Sequence, residues 1–288
     1  MKKRAFLYII LAGIFWGTSG IFVNLLSPLG LSSLQMAAVR GGVAAFCMSV
    51  YALLKNRQLF KMSQIQFLFS IGGGFSMFMT SAGYFASIQA SSVSTAVVLM
   101  YTAPVMVMMY SVAFFGEKLT KLKILSTFMM IVGCGLVSGV VGEMKFSTFG
   151  IVSGLISGVA YASYNIFTKL QMRDECNPFS ASMYSFIFMT VFALFVSEPL
   201  HIIEIAHQSY RAVILMLGCG VVTSVLPYVL YTIALKTLPA GTASALSIAE
   251  PMAATVFSVV FLGEVLNVYS SCGIILILFA IFLLSKSE

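Results

Sequence analysis

Two ionisable side chains stand deep inside long apolar runs of this 288-residue sequence, Arg40 and Glu250. In the centre of a bilayer such groups are expensive, and where they occur they mark a substrate path, a proton relay or a tightly bonded structural contact. Facing one cavity, Arg40 and Glu250 could hold the carboxylate and ammonium of a zwitterion, or Glu250 could exchange a proton with the bound compound. The structural alternative is that Arg40 bonds carbonyls and Glu250 bonds freed amides or a hydroxyl. The candidate lining around them is aromatic: Trp16, Tyr84, Tyr101, Tyr161, Tyr164, Tyr228 and Tyr231 each bring an apolar ring and a polar group that needs a partner. Asn165, Thr18 and Ser19 add neutral hydrogen-bonding capacity, although a hydroxyl in a membrane helix often bonds its own backbone. Pro104 and Pro251 each remove a helix hydrogen bond and are expected to kink their spans as gates or hinges.

Other chemistries lack their residues. No aspartate falls inside an apolar run, and both histidines, His201 and His207, lie in one polar connection, so neither a nucleophile with its base nor a paired-carboxylate site is expected. Of five cysteines, Cys47, Cys134, Cys219 and Cys272 sit in apolar runs and Cys176 in a connection, without zinc spacing or a disulfide framework. The glycine-rich stretches, Gly13 with Gly17, Gly72 to Gly74, Gly135 with Gly139 and Gly154 with Gly158, lack the lysine of a nucleotide loop and read as close helix contacts. No catalytic residue, metal ligand or cofactor is assigned. A membrane-embedded enzyme or a channel stands as the alternative reading.

The elements that must position these residues follow from composition. Apolar residues make up 60% of the chain and charged residues 9%, the mean hydropathy is +1.02, and continuous runs near twenty residues match helices that cross hydrocarbon. Ten spans are predicted, at 5–26, 32–54, 65–88, 92–114, 122–141, 148–169, 179–197, 211–235, 241–262 and 267–285, with an interfacial helix as an option between Glu198 and Tyr210. The first run is long for a signal peptide and lacks a small-residue cleavage site, so it is read as a retained helix. The net charge of +7 comes from basic residues clustered between spans and not from a nucleic-acid-binding face. With both termini in the cytoplasm, thirteen Lys and Arg fall inside against Lys145 and Arg211 outside, which fits the positive-inside rule.

The second half echoes the first at an offset of 147 residues: Gly73 with Gly220, Tyr84 with Tyr231, Thr95 and Ala96 with Thr242 and Ala243, Pro104 with Pro251, Gly116 and Glu117 with Gly263 and Glu264. At an offset of 145, Gly13 to Trp16 aligns with Gly158 to Tyr161, and Ile21 and Phe22 with Ile166 and Phe167. The chain therefore reads as two five-helix units, 1–145 and 146–288. An odd number of helices per unit makes the second unit enter the membrane from the opposite side. Inverted repeats are the architecture of alternating access, which implies a carrier.

Trp16-Gly17-Thr18-Ser19, Arg40, Pro104 and Gly116-Glu117, with Glu250-Pro251 and Leu262-Gly263-Glu264 in the second copy, resemble the drug/metabolite transporter superfamily in its EamA-type branch. The resemblance covers essentially the whole chain. It implies a basket of helices around a central cavity, with the fifth helix of each repeat outside and a homodimer as a further partner. It also implies small polar metabolites, commonly amino acids and often exported, as substrates in the plasma membrane. No paired basic residues stand in the last two spans, which argues against phosphorylated cargo.

Overall fold

The computed structural model describes residues 2–91, 93–138, 147–263 and 267–286. Every regular element among them is helical. In chain order these are α1 (Lys2–Gly17), α2 (Ser19–Leu26), α3 (Ser33–Lys55), α4 (Gln64–Ala90), α5 (Val93–Met100), α6 (Ala103–Phe115), α7 (Lys121–Val137) and α8 (Thr148–Arg173), followed by α9 (Pro178–Leu194), α10 (Pro199–Gln208), α11 (Tyr210–Gly220), α12 (Leu226–Leu235), α13 (Ala240–Leu246), α14 (Ala249–Leu262) and α15 (Val268–Ser285). Among the described residues, eight helical stretches are long and apolar enough to cross a bilayer, and nine if α9 and α10, bent by 100°, are taken as one. At 17 residues, α7 sits at the short end of the roughly 17–25 residues that span hydrocarbon.

Helix starts are fixed locally. Ser32 with Gln35 and Ser63 with Gln66 form capping boxes for α3 and α4, and Thr120, Ser147, Asn177, Ser209 and Asn267 accept from the first turns of α7, α8, α9, α11 and α15. Each cap gives an orphan N–H a partner. Gly116 and Gly263 end α6 and α14 at φ 64° and 71°, a left-handed turn that glycine enters without a Cβ clash.

Several predicted spans are broken. The first is interrupted at Thr18 and the fourth at Tyr101–Thr102; the ninth is interrupted at Ser247–Ile248. The fourth and ninth breaks lie within one residue of matching positions in the 147-residue echo. Pro104 and Pro251 sit in the first turn of the helices that follow, α6 and α14. The expected mid-helix kink is corrected accordingly: proline in a first turn removes no hydrogen bond, because that N–H has no intrahelical acceptor. The eighth span carries a π-helical turn at Val221–Val225 between α11 and α12. The optional interfacial helix is α10. It follows Glu198, whose φ is 49°, and buries Ile205 while Leu200 and Ile203 face outward.

Packing is by close backbone approach. Lipid is as apolar as any side chain, so helices associate through small residues and good fit. A Cβ on Gly17 would come within 2.8 Å of Ala253 Cβ, and one on Gly158 within 2.9 Å of the Leu99 carbonyl. Gly133 of α7 and Gly273 of α15 face each other, and a Cβ on Gly273 would lie 2.7 Å from the Gly133 carbonyl. The fifth span is thus packed within the chain through Gly133, which was not among the glycines singled out from the sequence; of the predicted pair Gly135 and Gly139, Gly139 lies outside the described residues. Phe46, Phe114, Phe128 and Phe149 point outward, as expected of side chains facing lipid.

Candidate functional site

The centre of the bundle holds a cavity of about 40 Å³ lined by Arg40, Met77, Thr80, Ser81, Tyr161, Tyr164, Phe186, Met189, Ser224 and Tyr228. Five elements supply them: α3, α4, α8, α9 and the α11–α12 span with its π turn. Sites for small molecules usually enclose roughly 300–1,000 Å³, so this conformation is contracted around its own side chains. A larger groove of about 550 Å³ lies between the other faces of α4 and α8, among Phe75, Met79, Leu155 and Phe167. Its lining is almost wholly apolar and offers no charge.

Arg40 reaches across the cavity from α3 to the π turn. Its Nη2 donates to the Thr223 carbonyl at 3.1 Å and its Nε to Ser224 Oγ at 3.4 Å. Glu250, in the first turn of α14, accepts a hydrogen bond from Tyr101 Oη at 2.9 Å. That turn favours a carboxylate, because the helix dipole and its unpaired N–H groups point toward it. Tyr101 stands at the break of the fourth span, so the bond ties one broken span to the other. Tyr161, on the cavity wall, donates to Ser247 at 3.0 Å, and Ser247 donates to the Ser244 carbonyl at 2.6 Å. The break of the ninth span is thereby linked to the cavity.

A second polar pair lies beside the first. Tyr231 donates to Asn165 Oδ1, and Asn165 Nδ2 donates to the Tyr161 carbonyl at 2.7 Å. Trp16 packs edge-on against Tyr228 at 5.1 Å and tilted against Tyr231 at 5.5 Å. Its ring nitrogen is buried without a partner, a costly arrangement that a ligand or water could relieve. Tyr228 also meets Tyr164 and Phe186, at 5.6 and 5.0 Å.

Of the residues predicted for binding, Arg40, Tyr161, Tyr164 and Tyr228 line the cavity. Trp16, Tyr101, Asn165, Tyr231 and Glu250 form the packed and hydrogen-bonded layer around it. Thr18 donates to its own backbone, at the Phe15 carbonyl, 2.7 Å away, and Ser19 begins α2 beside it. Tyr84 is half-buried on α4, its ring 5.7 Å from Phe85. Reading the sequence alone missed Ser224, Met77, Thr80, Ser81, Phe186 and Met189, which are ordinary residues until the fold turns them inward. Glu117, in the turn after α6, accepts from the Ala240 N–H at 3.0 Å and caps α13; its echo Glu264 lies outside the described residues. Among the described residues no group of three His, Cys, Asp or Glu is placed to hold a metal ion.

Comparison with known proteins agrees on one class. A solved crystal structure only 15% identical superimposes with a TM-score of 0.81, covering 100% of this chain and 99% of that one, which makes the fold the same. The uncharacterized transporter YwfM of Bacillus subtilis is 24% identical over 286 residues, spanning 98% of this chain and 93% of its own. YxxF, a second uncharacterized transporter of that organism, is 25% identical over 282 residues, with 96% and 88% covered. An uncharacterized transporter of Archaeoglobus fulgidus is 29% identical over 196 residues, 68% of each chain. With residues 3–139 and 148–286 both matching the family itself, this multi-pass membrane protein belongs to the EamA-like transporter family.

Proposed function

We propose that this transporter is a secondary carrier that exports small polar metabolites, of amino-acid-like chemistry, across the plasma membrane by alternating access of two inverted halves. One observation carries the reading. Each central charge is bonded across the boundary between halves: Arg40 of the first half to Thr223 and Ser224 of the second, and Glu250 of the second to Tyr101 of the first. A compound that competes for those contacts separates the halves, and its binding is coupled to opening. Arg40 receives the carboxylate of the cargo, Glu250 meets the ammonium or takes a proton in its place, and the tyrosines around them close over the apolar part. Both termini lie in the cytoplasm under this reading. A homodimer would use faces other than the one shared by Gly133 and Gly273.

The test is flux into proteoliposomes holding the wild-type protein or Glu250→Gln, with pooled labelled amino acids, nucleosides and sugars, with and without a pH gradient. Saturable amino-acid flux that follows the gradient only in the wild type supports coupling through Glu250. Flux that never saturates and only runs downhill would point to a channel instead.

A further inference from the structure

In an α-helix the carbonyl of one residue takes the N–H four residues on. For Thr223 that donor belongs to position 227, which is Pro227 and has none to give. Immediately around it the backbone widens into the π turn Val221–Val225, where the Leu226 N–H reaches back five residues to the Val221 carbonyl. Such turns recur at functional sites because they release backbone groups from the regular ladder. The Thr223 carbonyl has no α-helical donor here, and Arg40 Nη2 donates to it at 3.1 Å. The first half treats the equivalent carbonyl differently. Ser76 stands 147 residues before Thr223, and Thr80 stands where Pro227 would; the Thr80 hydroxyl donates to the Ser76 carbonyl at 2.8 Å. Of this pair of carbonyls, Thr223 accepts from a cation and Ser76 from a hydroxyl.

The partners of Arg40 are both neutral, a carbonyl and a hydroxyl, while Glu250 is bonded to Tyr101. The guanidinium is therefore held without being paired in contact with a carboxylate. Its Nη1 has no protein partner among the described residues, and the side chain lines the cavity. We infer that Pro227 is a positioning residue: by stripping Thr223 of its helical donor it fixes Arg40 with the Nη1 edge turned to the cavity, as a receptor for an anionic oxygen of the cargo. This rests on the carrier reading above and sharpens it, because the cargo must then bear a carboxylate, and its neutral carboxamide is rejected.

The experiment uses proteoliposomes containing the full-length wild type, Pro227→Ala or Ser224→Ala, each offered labelled L-amino acids or the matching amino-acid amides. In Pro227→Ala the new N–H reclaims the Thr223 carbonyl, and the loss of one charge-assisted bond is expected to raise KM for the acids roughly tenfold with kcat kept. Amide flux, low in the wild type, stays unchanged. Ser224→Ala leaves the backbone intact and moves KM in the same direction, which covers the case of a poorly folding Pro227→Ala. An unchanged acid-to-amide ratio in both variants overturns the proposal. A second readout needs no cargo: phenylglyoxal modification of Arg40, followed by peptide mass spectrometry, is expected to be several-fold faster in the variants. Equal modification rates would also overturn it. If neither pool moves through the wild type, the amino-acid reading fails, and the phenylglyoxal rates alone decide the role of Pro227.

Discussion

Tyr101 is the one side-chain donor to the Glu250 carboxylate among the described residues, and a bond from a hydroxyl to a charged acceptor is worth about 1.5–3 kcal/mol. Tyr101→Phe and Glu250→Gln are therefore expected to be strongly non-additive in thermal unfolding in detergent, with a coupling of that size in a double-mutant cycle. Simple additivity would mean that the two groups do not act as a pair. Cys176, in the connection between α8 and α9, offers a check outside the membrane. Burial, with the neighbouring Asp174 adding to it, pushes its thiol up to about 11, and only the thiolate reacts. A folded-state value that high leaves the group neutral throughout the physiological range. With Cys176 as the sole cysteine, alkylation by iodoacetamide should climb about tenfold per pH unit from pH 7 to 10. A rate that levels off near pH 9 would show an ordinary exposed thiol. Charge and proline are conspicuous in apolar runs, so Arg40 and Glu250 could be singled out from the sequence; Arg40 lines the cavity, and Glu250 bonds to Tyr101 outside its lining. Ser224 and Met77 were not legible, since nothing in a serine or methionine says which way a helix will turn it.

At the scale of the element, eight of the ten predicted spans coincide with helical stretches long and apolar enough to cross a bilayer, while their interruptions were not readable from hydropathy. A break such as Tyr101–Thr102 leaves the apolar run uninterrupted, and the cost of the lost helix bonds is met by tertiary contacts such as Tyr161 with Ser247, which no local pattern records. The position of Pro104 in a first turn leads to a prediction opposite in sense to that of a mid-helix kink. Pro104→Ala should change thermal stability by no more than about 1 kcal/mol, through the unfolded chain alone, and should leave the break in place. A large stabilisation with loss of flux would instead mean that proline bends the span. Glu117, in the turn after α6, serves the N-terminus of α13 as a cap from a distant part of the chain. Glu117→Ala is expected to cost about 1 kcal/mol, read as a lower melting temperature, with Glu117→Gln partly restoring it.

For the whole molecule, the internal echo had a counterpart in the backbone: glycine turns at Gly116 and Gly263 and caps at Thr120 and Asn267 recur 147 residues apart. What the echo could not convey was which helices touch. The α7 and α15 pair is the clearest instance, since the contact runs through Gly133 and Gly273 and not through the spaced pair Gly135 and Gly139 that the sequence singles out. A leucine at Gly133 must displace Ile277 and the Gly273 carbonyl, which stand 2.8 and 3.0 Å from its Cβ position. Overpacking of this kind costs typically 1–3 kcal/mol, and Gly133→Leu should lower the melting temperature while Gly133→Ala does so less. That contact also sets an order of events during synthesis. When α7 leaves the ribosome its glycine face has no mate, and it keeps none while more than a hundred further residues are made. Only when α15 enters the bilayer is the groove filled, so a nascent chain stopped short of that helix carries an open seam along α7.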